Sequence, residues 1–379
     1  MTFTKKLKTI YAPLVHPLFA ITLSLLVGSL AILVVGENPI AVYRIMFNGA
    51  FGSVFALFAT LTRATPIIIC GLGAAIAWKS GYRGIGGEGQ MIWGGFLAAV
   101  VALHGPGPPA VRIIFALLAG MIAGGFYSII SAWLLDKFKV TLAISTLMMN
   151  FVANFVTLHF VSNIFQDRTG IDIRIIQTEQ LVPYMRLPRF MPQHTLHYGF
   201  LLALALVFLT WFLMSRTNFG YEARMTGLNL DFCDYGGVSS KKVMYAILAL
   251  SGVISAFAGV VEVFGVNYRY VHDAFTSASF AWIGLSAALI SRFHPVGVLL
   301  ASIILSGIQT GGSAVGRATA MPIEISSIIQ GAVILFISAQ IFISWKRSKK
   351  DINPQTPQTP QTPETPAPAT ETVKGGDAS

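Results

Sequence analysis

Long apolar stretches, nearly free of charge, recur along the chain and are separated by short polar or glycine-rich segments. A helix needs about 20 apolar residues to cross the hydrocarbon core of a bilayer. Stretches of that length, or nearly so, cover residues 9–36, 89–111, 113–135, 140–166, 190–215, 243–261, 274–291, 293–316 and 325–345. The segment 45–78, interrupted by Arg63 and Pro66, is too long for one span and short for two. The sidedness of Lys and Arg decides how it is divided. If 64–78 spans and 39–61 is a lead-in lying mostly along the outer interface, ten crossings result with both chain ends inside. Every lysine then falls on the cytoplasmic side, from Lys5, Lys6 and Lys8 through Lys79, Lys137, Lys139, Lys241 and Lys242 to Lys346, Lys349, Lys350 and Lys374. The outer side keeps only arginines, among them Arg168, Arg174, Arg186 and Arg189. The expected fold is therefore all-α and polytopic, with about 10 transmembrane helices (range 8–10).

Composition agrees with this pattern. Of 379 residues, 54% are hydrophobic and 11% charged, against roughly 25% charged in a soluble domain. The net charge of +10 is the positive-inside signature together with a basic rim for anionic headgroups, and it does not indicate nucleic-acid binding. The basic start and first apolar stretch resemble a signal peptide. With Glu37, Asn38 and Pro39 where a small-residue cleavage site would stand, they read as an uncleaved helix. Residues 1–16 form a cytoplasmic N-terminus, 17–345 the membrane domain and 346–379 a disordered cytoplasmic tail rich in Pro, Thr and Gln. The tail is a passive extension or a tether. Two cysteines, Cys70 in an apolar helix and Cys233 in a loop, support neither a disulfide nor a metal site.

The polar inventory narrows the function. The spans contain no paired aspartates and no His-Glu-x-x-His or Gly-x-Ser-x-Gly motif, which argues against an intramembrane enzyme. Glu262 lies toward one end of its helix, and Glu324 caps the start of the last one. The helices otherwise carry amides and hydroxyls. Asn150 and Asn154 share a helix face with Thr146, while Gln309 and Gln330 lie in later spans. Such groups either bond helix to helix or line a path for a neutral polar solute. Gly120/Gly124, Ser251/Ser255/Gly259 and Gly307/Gly311 read as close helix contacts.

Two polar segments stand out. In GYRGIGGEGQMIWG (81–94) the glycines should let the chain leave one helix near the cytoplasmic face and restart another at Gln90. Glu88 then sits at a helix N-terminus, where a negative charge is favoured by roughly 0.3–1 kcal/mol. Glu88 is a structural cap, an ion-pair partner of Arg83, or a gate. The loop 215–242 carries a short amphipathic helix, Tyr221 to Met225, between Gly220 and Gly227, and a second piece from Leu230 to Tyr235 ending at Gly236. A stiff helical knuckle of this kind can transmit force from an outside subunit.

These segments resemble a known family. TRATPIIICGLGAAIAWKSG, IGGEGQMIWGGFLAA, the loop from Thr217-Asn218-Phe219-Gly220 onward and SRFHPVGVLLASIILSGIQTGG are similar to the permease subunits of ABC importers for nucleosides and simple sugars, a ribose- and branched-chain-amino-acid-permease-like family. The resemblance runs from about Asn38 to about Ser344. Tyr82, Arg83 and Gly84 stand where members carry an apolar pair and an asparagine. The Phe232 to Tyr235 stretch also differs from the small residues usual there. The resemblance implies a bacterial inner-membrane subunit that is not itself an enzyme and carries no cofactor. ATP and Mg would bind a separate ATP-binding subunit, consistent with the lack of a Gly-x-x-x-x-Gly-Lys-[Ser/Thr] loop. It further implies a paralogous second permease and a periplasmic or lipid-anchored solute-binding protein. Phe219, Gly220, Glu222, Arg224, Gly227, Tyr235 and Gly236 would then form the ATPase-coupling loop. Asn150, Asn154, Gln309 and Gln330 are candidates for the substrate path, and Glu88, Gln90 and Arg83 for a gate or cap. The implied solute is a nucleoside first, then riboflavin, then a simple sugar; a stand-alone secondary carrier is the alternative.

Overall fold

The computed structural model describes residues 26–30, 32–168, 175–229, 233, 235–319, 327, 328 and 331. The expected span 325–345, Gln330, Glu324, the N-terminus 1–16 and the tail 346–379 lie wholly or largely outside these residues.

Among the described residues the chain is helical, without strands. Its helices are α1 (Pro39–Phe51), α2 (Val54–Lys79), α3 (Gly87–His104), α4 (Pro109–Phe138), α5 (Leu142–Asn163), α6 (Gly199–Arg216), α7 (Asn218–Leu228), α8 (Ser240–Glu262), α9 (Ala274–Ala278), α10 (Phe280–Ile290) and α11 (Pro295–Ala318). Six, namely α2, α4, α5, α6, α11 and α8 with the π-helical turn that follows it, are long and apolar enough to cross a membrane. A seventh span results if α1 and the preceding turns count as one bent crossing. The all-α polytopic architecture is as expected, while a count of ten spans exceeds what the described residues provide.

The division of 45–78 differs from expectation. α2 begins at Val54, ten residues before Ala64, and runs unbroken through Pro66. Proline removes one backbone donor, a loss that neighbouring helices and threonine hydroxyls compensate in membrane helices. The carbonyl left without its donor is that of Thr62; the Thr62 and Thr65 hydroxyls bond elsewhere within the helix, to Phe58 and Leu61 at 2.8 and 2.9 Å. Residues 39–61 are thus not one interfacial lead-in. Asn38, whose Oδ1 accepts from Ile40 N at 3.0 Å, and Pro39 start α1. Ser53, accepting from Ala56 N at 3.1 Å, starts α2. α1 seats on the far half of α11, with Met46 and Phe51 filling the surfaces of Gly311 and Gly307. The stretch 274–291 is also divided, by Ser279 in the left-handed region at φ 55°.

α8 is the centre of the bundle and is covered by α2, α3 and α4. Its small residues let backbones approach closely. A Cβ on Gly124 would lie 2.8 Å from the carbonyl of Gly252, and one on Gly259 2.1 Å from that of Met91. The expected Gly120/Gly124, Ser251/Ser255/Gly259 and Gly307/Gly311 faces are all helix contacts. α4 and α5 present Ile122, Phe126, Phe151 and Phe155 outward, each more than half exposed. Apolar surface of that extent faces lipid in a multi-pass membrane protein.

The described lysines cap helices at one end of this bundle. Lys241, at the start of α8, meets Asp136 at 3.0 Å, and Lys139 meets the same carboxylate at 3.8 Å. At the other end, residues 175–198 pack against the segment that follows α8. Thr178 N donates to Tyr270 O, Leu181 N to Tyr268 O and Leu187 N to Phe264 O, at 2.9, 2.7 and 2.8 Å.

Candidate functional site

Near the lysine end, the chain leaves α2 at Lys79, turns at Gly81 and re-enters as α3 at Gly87. The glycine turn therefore exposes backbone groups inside the bundle, where each must find a partner. α5 supplies them. Asn150 Oδ1 accepts from Gly89 N at 2.9 Å, and its Nδ2 donates to Ile85 O at 2.9 Å. Thr146 Oγ1 accepts from Ile85 N at 2.9 Å, and Trp78 Nε1 donates to Gly84 O at 2.8 Å. Gly89 N is one of the first-turn donors that an α-helix leaves unpaired, so Asn150 acts as an external cap of α3. Its amide braces the glycine turn.

Glu88 occupies the first turn of α3, the helix-terminal position expected for it. Helix formation starts at Gly87 rather than Gln90. Its carboxylate is not paired with Arg83, which is exposed. Oε2 accepts instead from Trp282 Nε1 on α10, at 2.9 Å and 194 positions away. Indole N–H groups inside proteins usually find an acceptor, and here the acceptor is the one carboxylate at this level of the turn.

Beside this pair lies a small, partly open cleft with an interior volume of about 30 Å³. The glycine turn, Glu88, Gln90, Ser255 and Trp282 line it, with Thr146 and Ser128 behind. Gln90 is 6% exposed, and no other described residue bonds its amide. The cleft is lined by a carboxylate, an amide, hydroxyls and an aromatic face, and the described residues hold no metal-binding group.

The other sequence candidates fall elsewhere. Asn154 stands one turn beyond Asn150 on α5 and away from the cleft. Its buried Oδ1 has no partner among the described residues. Gln309 Oε1 accepts from Arg63 Nε at 2.8 Å, in a different part of the bundle. Trp282 and Ser128 escape a reading of the sequence, because nothing local ties them to Glu88; an indole on an otherwise apolar helix is the only signal.

The loop after α6 folds as α7, longer than the 221–225 piece expected. Thr217 caps it by accepting from Gly220 N at 3.1 Å, so Gly220 and Gly227 lie within the helix rather than flanking it. Gly220 allows α7 to fold back on α6, since a Cβ there would meet Leu213 O at 2.2 Å. Phe219 is half-buried against the core. Ala223 and Thr226 face inward, Glu222 and Arg224 are half-buried, and Tyr221, Leu228 and Tyr235 point outward, with Tyr235 93% exposed beside the exposed Gly236. Of the second piece, Cys233 is buried and Leu230, Asp231, Phe232 and Asp234 lie outside the described residues. The inner side of α7 rests on the glycine turn, because Gly227 abuts Lys79, Ser80 and Gly81.

At the far end, His197 is fully buried. Its Nδ1 accepts from Gly199 N at 3.1 Å, and burial, then the nearby Arg189 charge, push its pKa down to about 4. The ring lies against Gly265, where a Cβ would be 2.6 Å away.

Comparison with known proteins adds independent information. The family described as branched-chain amino acid transport system / permease component matches residues 56–338. The guanosine ABC transporter permease protein NupP of Bacillus subtilis is 32% identical over 352 residues, covering 90% of this chain and 98% of its own length. The nucleoside ABC transporter permease protein NupB of Lactococcus lactis is 28% identical, with coverage of 86% and 91%. The glucose ABC transporter permease protein TsgB13 of Haloferax volcanii is 30% identical, with coverage of 86% and 87%. No solved structure matches.

Proposed function

We propose a specific transport role for this chain, which belongs to the branched-chain amino acid transport system / permease component family: it is the membrane-spanning permease of an ATP-driven importer, and its solute is a nucleoside. The observation that carries the reading is the contact of α7 with the glycine turn at Gly81. A motion imposed on α7 from outside has a stiff route to Glu88, Trp282 and the cleft. Tyr221, Leu228 and Tyr235 present an apolar face to whatever imposes it.

On this reading the lysine-bearing end faces the cell interior, where a separate ATP-binding subunit grips α7 and carries ATP and Mg. A paralogous second permease completes the membrane unit in the bacterial inner membrane. A solute-binding protein delivers cargo at the end covered by residues 175–198. Both chain ends are cytoplasmic. The nucleoside assignment follows the guanosine and nucleoside relatives. Import of a simple sugar is the second reading, favoured by the 30% identity to a glucose permease.

The test is reconstitution in liposomes. With the ATPase, second permease and binding protein present, labelled guanosine should enter only when ATP is supplied. Uptake by this chain alone, driven by an ion gradient, would instead identify a secondary carrier.

A further inference from the structure

One corner of the lysine-bearing end joins the last turn of α4 to the first turn of α8. The two segments, residues 133–140 and 239–245, carry Lys137, Lys139, Lys241 and Lys242 against a single carboxylate, Asp136. Lys241 meets that carboxylate at 3.0 Å and Lys139 at 3.8 Å, and the Tyr245 hydroxyl donates to it at 3.5 Å. Lys137 and Lys242 meet no carboxylate among the described residues. Beside Lys137 the corner is aromatic. Lys137 Nζ lies 5.5 Å from the centre of the Trp133 ring and 6.0 Å from that of Phe138, and the two rings pack edge to face at 5.3 Å. Trp133 is 44% exposed and Phe138 57%.

Internal pairing does not account for this corner. One carboxylate among four ammonium groups leaves a surplus of positive charge, and both ion pairs are exposed, where such pairs add little to stability. Lys241 and Lys242 also stand in the first turn of α8, where the helix dipole disfavours a cation. The surroundings point to lipid. Ile122, Phe126, Trp133 and Lys137 follow one another along α4 at helical spacing, so they share one face, and the first three are exposed. Aliphatic, then aromatic, then cationic is the order in which a helix passes from acyl chains to headgroups.

We propose that this corner binds an anionic phospholipid. Lys137, Lys139 and Lys242 hold the headgroup phosphate, Trp133 and Phe138 lie at the level of the glycerol backbone, and the acyl chains run along Phe126 and Ile122. The surplus charge selects a headgroup with net negative charge over a zwitterionic one. Bound there, the lipid ties the end of α4 to the start of α8, the central helix. The site requires only that this end of the bundle meets a headgroup layer, so it stands whichever solute the chain carries.

The test uses the full chain purified in detergent and titrated with phosphatidylglycerol, phosphatidylcholine or glycerol 3-phosphate, with bound molecules counted by native mass spectrometry. Phosphatidylglycerol should be retained about tenfold more tightly than phosphatidylcholine, and high salt should narrow the difference because exposed charges are screened. Changing Lys137, Lys139 and Lys242 together to Gln should abolish the preference without lowering the melting temperature, since none of the three makes the 3.0 Å contact with Asp136. Changing the same three to Arg should keep it. Equal retention of the two lipids by the wild type overturns the site, as does a preference in the glutamine variant that stays within about twofold of wild type. Saturation by glycerol 3-phosphate at the same concentrations would assign the corner to soluble anions and overturn the lipid site. Loss of the preference in both variants, with melting temperatures lowered alike, would assign these lysines to folding and overturn it too.

Discussion

Gly227 and Gly81 meet backbone to backbone. A Cβ on Gly81 would lie 2.9 Å from the Cα of Gly227, and one on Gly227 would lie 2.8 Å from the carbonyl oxygen of Lys79. Gly81 also has φ +85°, a conformation that costs other residues roughly 1–2 kcal/mol. The end of α7 and the start of the turn before Glu88 are therefore a single packed joint. Gly227→Ala, whose methyl group has only backbone to displace, should separate the two. The expected outcome is transporter that reaches the membrane and hydrolyses ATP but loses most solute uptake. Uptake and hydrolysis that stay in their wild-type ratio would show that this joint transmits nothing.

Glu88 gives a second test. A glutamine at 88 still offers Trp282 Nε1 a carbonyl acceptor, so Glu88→Gln should leave expression and melting temperature nearly unchanged while uncoupling uptake from ATP hydrolysis. Trp282→Phe removes the donor from the other side and should resemble it. Normal uptake in Glu88→Gln would reduce the carboxylate to a helix-terminal charge worth roughly 0.3–1 kcal/mol.

Asn150 makes the opposite prediction, because its role is to satisfy backbone. Asn150→Leu leaves Gly89 N–H and Ile85 C=O without partners, at about 1–3 kcal/mol for each buried group. The purified protein should melt several degrees lower and accumulate poorly. Thr146→Val, which removes one acceptor from Ile85 N, should cost about half as much. A melting temperature unchanged in Asn150→Leu would mean that the turn finds other partners.

His197 predicts a pH dependence confined to the end of the bundle covered by residues 175–198. Its folded pKa of about 4 lies below the ordinary 6.5 because burial and Arg189 disfavour the charged ring. The unfolded chain binds the extra proton between these values, so stability is complete above pH 6.5 and falls as the pH drops toward 4. The full loss is on the order of 3 kcal/mol. Thermal melts across pH 4 to 7 should slope downward with acid in the wild type, and the slope should shrink in His197→Gln. Equal slopes would place the acid sensitivity in other groups. Gly265→Ala, whose methyl would enter the ring position of His197, should loosen the same end.

Much of the architecture was legible locally. The long apolar stretches named most of the spanning helices, because a bilayer imposes length and charge exclusion one segment at a time. The small-residue spacings named the close contacts, and the glycine cluster named a helix start, expected at Gln90 and found at Gly87, with Glu88 in its first turn. The lysine positions grouped the helix ends that Asp136 and Lys241 bring together. Residues 45–78 were not legible in this way. Whether α2 passes through Pro66 depends on the helices packed beside it, and α1 exists as a separate helix because Gly307 and Gly311 leave room for it on α11.

The sequence alone determined that this chain is a helical membrane protein, with a glycine-broken entry to one helix and a stiff loop between two others. These follow from composition and from spacing within one turn or one span. Only the tertiary structure decided the partners: Trp282 for Glu88, Asn150 for the backbone of Ile85 and Gly89, Gly81 for Gly227, and Gln309 for Arg63. Each pair joins different helices. Hydropathy measures how a segment meets lipid, and it carries no information about which polar group a neighbouring helix will present.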